Sequence, residues 1–270
     1  MDKIRREMLE RIQAFRPMDD TFMVQMFSDD PAFAQEIIRI ILGIPTLTVT
    51  EITVQHRIDL QSACARSVCL DVYARDADGK AYDIEIQRDD RGAEPKRARY
   101  ISAAMDAGLL KPGHGFSELP EAYVIFITED DVFGDGRSVY SFDRFDSGNG
   151  RKLDDGSHIV YANGQYRGED LIGLLMHDFM CADPSEMRLP FMAAKTAHLK
   201  KTPEGVTRMC RIMEEFAEIY AKEYAKECVM DSLTNNALRM LRMGKFSHED
   251  IAVSLNIPFE EVAALAKTLS

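Results

Sequence analysis

Two acidic residues, Asp71 and Glu85, lie in a part of the sequence that predicts a β-hairpin. From Val68 to Gln87, apolar and polar residues alternate on both sides of a turn-forming segment, as in two half-buried strands. A three-residue turn would pair Asp76 with Lys80. The same register sets Asp71 opposite Glu85, where directly opposed side chains have Cβ atoms about 4.5 to 5.5 Å apart. The two carboxylates are therefore expected to share one small volume.

Two carboxylates this close would repel each other unless a cation lay between them. Mg²⁺ prefers oxygen ligands from one or two carboxylates and completes its shell with water and substrate phosphate. Asp71 and Glu85 could therefore hold Mg²⁺, with Mn²⁺ as a possible substitute. Acidic residues are also common on the solvent-exposed face of a hairpin, so the hairpin alone leaves both interpretations open.

The residues around these acids resemble the PD-(D/E)XK nuclease superfamily, in which an Asp on one strand is followed by Glu-x-Lys or Glu-x-Gln on the next. Within it, the chain is similar to the recombination-promoting nuclease and transposase (Rpn-like) family over about residues 18 to 200. The similar segments are Asp71-Val72-Tyr73, Asp78-Gly79, Asp83-Ile84-Glu85-Ile86-Gln87, Lys96-Arg97-Ala98-Arg99-Tyr100, and Leu119-Pro120 followed by Val124-Ile125-Phe126-Ile127-Thr128. Two positions depart from the family, since Ile101 and Phe116 stand where it usually has Tyr.

This resemblance implies the fold class: an α/β, restriction-endonuclease-like core with a mixed central β-sheet flanked by helices, plus a helical C-terminal extension. It also implies a metal-dependent nuclease that hydrolyses phosphodiester bonds. The substrate class would be nucleic acid, with a DNA endonuclease linked to recombination or transposition as the favoured activity.

The resemblance further implies roles for individual residues. Asp71 and Glu85 would bind the metal. Gln87 stands where the superfamily usually has Lys, and it would orient a water or a phosphate by hydrogen bonds. The superfamily often supplies another acid from its first helix. Glu36 is the candidate, on a helix predicted over Pro31–Leu42, although it could equally be a glutamate at the exposed border of that helix.

A second predicted helix, Pro95 to Leu110, carries Arg97 and Tyr100, which are three residues apart and share a face. Beside a metal site, Arg97 could hold a phosphate, and Tyr100 could support it or stack on a base. The alternative for Arg97 is an ordinary surface ion pair.

The composition of the chain also bears on its nucleic-acid binding, its thiols and its location. The formal charge of −12 argues against a surface that coats nucleic acid, but a local basic patch and a bound metal would still permit nuclease activity. Five cysteines without a Cys-x-x-Cys pair predict reduced thiols. A charged N-terminus and the lack of any apolar run near 18 residues predict a cytoplasmic protein without a membrane segment.

The chain is predicted to divide into a nuclease-like domain, residues 1–200, and a helical extension, residues 201–270. A long helix ending at Met243 carries an apolar stripe, which motivates a homodimer hypothesis. That stripe consists of Met209, Ile212, Met213, Phe216, Ile219 and Tyr220. The last residues resemble a helix-turn-helix. Its last helix is poorly suited to binding DNA, because it carries Glu260, Glu261 and a single Lys267.

The sequence leaves two rival functions open. The chain could be a catalytically silent nuclease fold that serves as a regulator or protein-interaction module. It could also be a sequence-specific DNA-binding protein that uses its C-terminal helices, although its acidic composition disfavours that interpretation.

Overall fold

The computed structural model describes residues 2–58, 68–88, 92–243 and 245–267. The helices are α1 (Asp2–Ala14), α2 (Asp20–Phe27), α3 (Pro31–Leu42), α4 (Pro95–Leu109), α5 (Leu171–Met180), α6 (Pro190–Lys201), α7 (Pro203–Met243), α8 (His248–Leu255) and α9 (Phe259–Lys267), with a 3₁₀ turn at Phe116–Glu118. The strands are β1 (Val49–Ile58), β2 (Val68–Asp76), β3 (Ala81–Gln87), β4 (Ala122–Thr128), β5 (Val139–Phe142) and β6 (Ser157–Asn163).

The strands form one mixed sheet in the order β1-β2-β3-β4-β6-β5. The first three strands are antiparallel, β3, β4 and β6 are parallel, and β5 returns antiparallel to β6. Helix α4 lies between β3 and β4 in the chain, as a crossover between parallel strands requires. The sheet with flanking helices confirms the predicted α/β, restriction-endonuclease-like fold class.

The β2–β3 hairpin has the register that the sequence predicts. Arg75 pairs with Ala81 and Val72 pairs with Ile84, while the Asp76 amide donates to the carbonyl of Lys80 over 3.1 Å. Gly79 has a φ of +84°, the left-handed conformation that this turn needs. Local turn chemistry therefore sets the pairing that carries Asp71 and Glu85.

One apolar core lies between α4 and the sheet. Helix α4 contributes Ala98, Ile101 and Met105, and the facing strands contribute Val124 and Phe126, all buried. This packing holds α4 against the strands that carry the acids. Its first turn, which includes Arg97, is consequently fixed near the end of β3.

The chain forms two compact units, residues 1–210 and 211–270. The second unit has a small core of its own that includes Ala237, Ile251 and Val262. The side chains of residues 215–232, which include the predicted stripe members Phe216, Ile219 and Tyr220, lie outside the described residues. Within the described part of the chain, no helix is both long and apolar enough to cross a bilayer.

Candidate active site

Asp71 and Glu85 each accept a hydrogen bond from backbone across the hairpin. The Ile86 amide donates to Oδ2 of Asp71 over 3.1 Å, and the Asp71 amide donates to Oε1 of Glu85 over 3.3 Å. Regular backbone pairing of β2 with β3 ends at Val72 and Ile84. The two bonds from backbone to carboxylate therefore occur at the next position along the hairpin. The two carboxyl groups therefore lie together between the strands.

Arg97 pairs directly with the second carboxylate. Its Nη2 lies 2.6 Å from Oε2 of Glu85, and its Nη1 donates to the carbonyl of Gly92 over 2.8 Å. Glu85 is 0 % exposed, whereas the Arg97 side chain is 38 % exposed. The guanidinium also lies 6.0 Å from the centre of the Phe126 ring. Arg97 thus joins a buried acid to the protein surface.

A third acid, Asp83, is buried beside this pair. It precedes Glu85 by two residues on β3, so the two side chains share a face of the sheet. Asp83 is 0 % exposed, and neither of its carboxylate oxygens has a hydrogen-bond partner among the described residues. A buried polar group without a partner is costly in a folded protein, so this side chain needs an explanation beyond packing.

Burial raises the pKa of all three acids. The pKa of Asp71 rises to about 6, opposed by the Ile86 amide and by Arg97. The pKa of Glu85 rises to about 8, because burial and the charge of Asp71 outweigh the ion pair with Arg97. Burial and the charges of Glu85 and Asp71 raise the pKa of Asp83 well above its ordinary value. At neutral pH the cluster therefore retains protons that a bound cation could displace.

Gln87 follows on the same strand, and its amide lies against the backbone of Gly92. A Cβ atom added to Gly92 would lie 1.6 Å from Oε1 of Gln87 and 3.2 Å from Nη1 of Arg97. Glycine at this position therefore leaves the space that the Gln87 amide occupies. The structure brings Asp71, Glu85, Gln87 and Arg97 into one cluster.

The family model described as PD-(D/E)XK nuclease family transposase matches residues 25–163, slightly more than half of the chain. The chain belongs to this family. No curated protein and no solved structure matches it. The family membership supports a nuclease-like function, and the matched region contains the whole cluster just described.

Two of the residues assigned through the family resemblance have other surroundings. Glu36 lies on α3, where its carboxylate pairs with Arg39 over 2.8 Å, and Arg39 also donates to the carbonyl of Leu47. The contacts described for Glu36 include none with Asp71 or Glu85. Tyr100 lies one turn after Arg97 on α4 and is 39 % exposed. The described ion pair of Glu36 thus joins it to its own helix and not to the acid cluster.

Asp20, the first residue of α2, is an acid near the cluster to which the sequence analysis assigned no role. Its negative charge contributes to the raised pKa of Asp71, so the two carboxylates are close enough to interact. Burial raises the pKa of Asp20 itself, and Arg88 opposes that shift. Asp20 lies outside the residues that the family model matches. The available signal was the segment that contains Asp20, which resembles the family's Asp-x-x-Phe-Lys opening with Met23 where Lys is usual.

A network of two arginines and two acids adjoins Asp20. Arg88 lies 2.8 Å from Asp19, and Arg16 lies 2.9 Å from Glu129. Arg88 also contacts Glu129 over 3.4 Å. These contacts join the start of α2 to the ends of β3 and β4, so they position Asp20 relative to the strands that carry the cluster.

PD-(D/E)XK nucleases generally use divalent metals, so the donor set can be tested for fit. Within the described residues, no group of three or more His, Cys, Asp or Glu side chains has the arrangement of a metal site. Two carboxylates, Asp71 and Glu85, are nevertheless the kind of ligand that Mg²⁺ requires. Asp83 lies buried beside them, with carboxyl oxygens that have no hydrogen-bond partner among the described residues. The residues present therefore fit a hard divalent cation that takes its remaining ligands from water and substrate.

Proposed function

We propose that the chain is a divalent-metal-dependent nuclease that hydrolyses phosphodiester bonds, with DNA as its substrate. The observation that carries the proposal is the convergence of Asp71 and Glu85, each bonded to backbone across the hairpin over 3.1 and 3.3 Å. Such bonds hold both carboxylates in fixed positions, as catalytic ligands require. We place the activity in transposition on the family description, and in recombination on the sequence resemblance alone.

Asp71 and Glu85 would hold Mg²⁺, for which Mn²⁺ could substitute. When bound, the ion would supply an activated water and neutralise charge that develops on the phosphate. Gln87 can orient a water or a phosphate oxygen by hydrogen bonds, although it lacks the charge that Lys would bring. Asp20 rather than Glu36 would be the acid contributed by a helix, because Asp20 interacts electrostatically with Asp71.

Arg97 would change partners during the reaction. In the structure its guanidinium is paired with Oε2 of Glu85, and its side chain reaches the surface. A guanidinium suits a phosphate as well as a carboxylate, because its N–H donors match the geometry of both groups. We infer that Arg97 would turn from Glu85 to a phosphate of the substrate, with exposed Tyr100 beside it, and that Glu85 would then be available to hold the cation.

A plasmid-nicking assay tests the proposal. Cleavage should depend on Mg²⁺ or Mn²⁺ and should be lost in an Asp71→Ala, Glu85→Ala double variant. Glu118→Gln, which alters an exposed acid on the 3₁₀ turn, is the control and should cleave normally. Full activity in the double variant would refute the assignment.

The second candidate function is a catalytically silent nuclease fold that acts as a regulator or interaction module. The ion pair of Arg97 with Glu85 favours it, since the guanidinium already satisfies one carboxylate without a metal. Calorimetry separates the two candidates: heat from Mg²⁺ binding that disappears in the double variant supports the nuclease. No metal binding together with tight binding of a protein partner supports the module.

The homodimer remains part of the proposal without support from the described contacts. Sedimentation at micromolar concentration tests it directly. A strictly monomeric mass would remove the dimer and leave the proposed chemistry unchanged, because the cluster is formed within one chain.

A further inference from the structure

A small cavity lies between α4 and the outer strands β1 and β2. Its volume is about 220 Å³. Pockets that bury drug-sized ligands measure roughly 300 to 1,000 Å³, so this one suits a smaller planar group. The side chains that matter here are His56, Tyr73, Arg75 and Lys111, with Gly108 of α4 at the cavity wall.

Two aromatic rings line this cavity. The rings of His56 and Tyr73 are stacked, with centroids 4.9 Å apart and planes inclined by 24°. Stacked rings provide a flat surface of the kind on which proteins bind unpaired bases. The cavity therefore offers an aromatic platform in addition to its volume.

The platform lies next to the acid cluster. Tyr73 follows Asp71 by two residues on β2, which is about 7 Å along a strand. Tyr73 is also the direct cross-strand partner of Asp83. A nucleotide whose phosphate lay at Asp71 and Glu85 would consequently have its neighbour within reach of the cavity.

The cavity lining carries more positive than negative side chains, although the chain as a whole carries −12. Arg75 and Lys111 line the cavity, and Glu51 is the acid that lines it with them. Arg75 lies close enough to Tyr73 to influence its pKa. The Nε of Arg75 is buried and lacks a hydrogen-bond partner among the described residues. Because Nε is buried and Nη2 donates to the carbonyl of Gly79 over 3.4 Å, a contact between Arg75 and the phosphate of a bound nucleotide would be made by Nη1.

We propose that this cavity binds one unpaired nucleobase of the substrate strand, next to the phosphodiester that is cleaved. A base inside a duplex is stacked on both faces and cannot enter such a site without leaving the helix. The substrate class would therefore be single-stranded or locally unpaired nucleic acid. This inference rests on the proposed function for the position of the scissile phosphate.

Binding of a fluorescent single-stranded DNA oligonucleotide to the full chain tests the proposal, with Ca²⁺ in place of Mg²⁺ so that binding is read without cleavage. Tyr73→Leu removes the ring and keeps most of the volume, while Tyr73→Phe keeps the ring. Stacking contributes about 1–3 kcal/mol per base, so Tyr73→Leu should weaken binding roughly 5- to 150-fold. Tyr73→Phe should bind like the native chain. Phe116→Ala, an 84 % exposed aromatic outside the cavity lining, is the control and should also bind normally.

A 2-aminopurine base in the same oligonucleotide provides a second measurement. Stacking on the ring at position 73 should quench its fluorescence in the native chain and in the Phe variant but not in the Leu variant. Equal affinity of the Leu variant and the native chain would overturn the proposal. So would equal affinity of the native chain for duplex and single strand. These outcomes are independent of the nicking assay, so a failure of the nuclease proposal can be told apart from a failure of this one.

Discussion

Arg97 and Glu85 form an ion pair of 2.6 Å that links a partly exposed guanidinium to a fully buried carboxylate. The same guanidinium donates to the Gly92 carbonyl, which fixes its orientation. Arg97 donates to Oε2 of Glu85 and the Asp71 amide donates to Oε1, so both oxygens of Glu85 have donors in this structure. A cation that binds Glu85 must therefore compete with Arg97.

Replacing Arg97 by Gln should lower cleavage about 100-fold, the usual effect of removing one charge-stabilising donor from an active site. The same change should tighten Mg²⁺ binding, because the competing cation is gone. Nicking rates at saturating metal and calorimetric Mg²⁺ affinity measure the two effects separately. If Arg97 only supported the fold, its replacement would lower the nicking rate and the Mg²⁺ affinity together.

The same variant should lose about 1–3 kcal/mol of unfolding free energy, as expected for a hydrogen bond to a charged group. The loss should stay below the roughly 3–5 kcal/mol of a fully buried pair, because Arg97 is 38 % exposed and Glu85 can bind a proton instead. Urea unfolding measures this difference. A loss above that range would mean that Glu85 cannot be neutralised.

The metal-free protein should become less stable as the pH rises from about 5 to 9. In the unfolded chain, Asp and Glu lose their protons near their ordinary pKa values, whereas folded Asp71 and Glu85 retain theirs up to about 6 and 8. The folded state then holds more protons, so stability falls with pH in this window. Thermal unfolding with EDTA should show the decline.

Mg²⁺ should raise the unfolding temperature more at pH 8.5 than at pH 6, because the ion binds the deprotonated carboxylates. An Asp71→Asn, Glu85→Gln variant serves as the control and should lose the response to Mg²⁺ and the part of the pH dependence that comes from these two acids, while buried Asp83 retains its own part. A metal response of equal size at both pH values would contradict the raised pKa of Glu85.

Gly92→Ala should impair cleavage with little loss of stability. The added methyl group would overlap Oε1 of Gln87 at 1.6 Å, and the flexible Gln87 side chain would have to move away. Gly115→Ala is a matched control, since its nearest contact would be 3.6 Å. Nicking assays and urea unfolding of both variants test this expectation. Normal cleavage by Gly92→Ala would show that the position of Gln87 has no catalytic importance.

Lys200→Met should destabilise the first unit by about 2–5 kcal/mol. The buried ammonium of Lys200 donates to the carbonyls of Gln13, Phe15 and Ala182 over 2.5 to 2.9 Å, and these acceptors would lose their donor. Lys201→Met, at the adjacent exposed position, should be almost neutral. Urea unfolding compares the two, and equal midpoints would contradict the structural role of Lys200.

The hairpin was predictable because its determinants are local. Alternating side chains and turn chemistry set the register from Asp76 and Lys80 onward, and the structure has that register. The helix over Pro31–Leu42 was predictable for the same reason, since the Asp30 carboxylate caps it and Gly43 ends it in the left-handed conformation. Such signals lie within a few residues of the feature they determine.

Interactions between residues distant in sequence could not be predicted in this way. Glu36 was chosen for its place on a helix stripe, yet its described partner is Arg39, one turn further along the same helix, and the stripe alone could not show how α3 packs relative to the hairpin. Asp20 interacts with Asp71 because α2 packs near the ends of the strands, which no spacing in the sequence encodes. The sequence did not indicate the partner of Arg97 either, since Glu85 is twelve positions away in the chain.

The hydrogen bonds of Asp71 and Glu85 across the hairpin have an evolutionary consequence. The amides of Ile86 and Asp71 need acceptors at these two positions whether or not the protein cleaves anything. An inactive descendant could keep its sheet intact with Asn and Gln, which offer a carbonyl oxygen without the charge. Among such relatives, the exchange of acid for amide at both positions would mark lost catalysis, while the hairpin itself would persist.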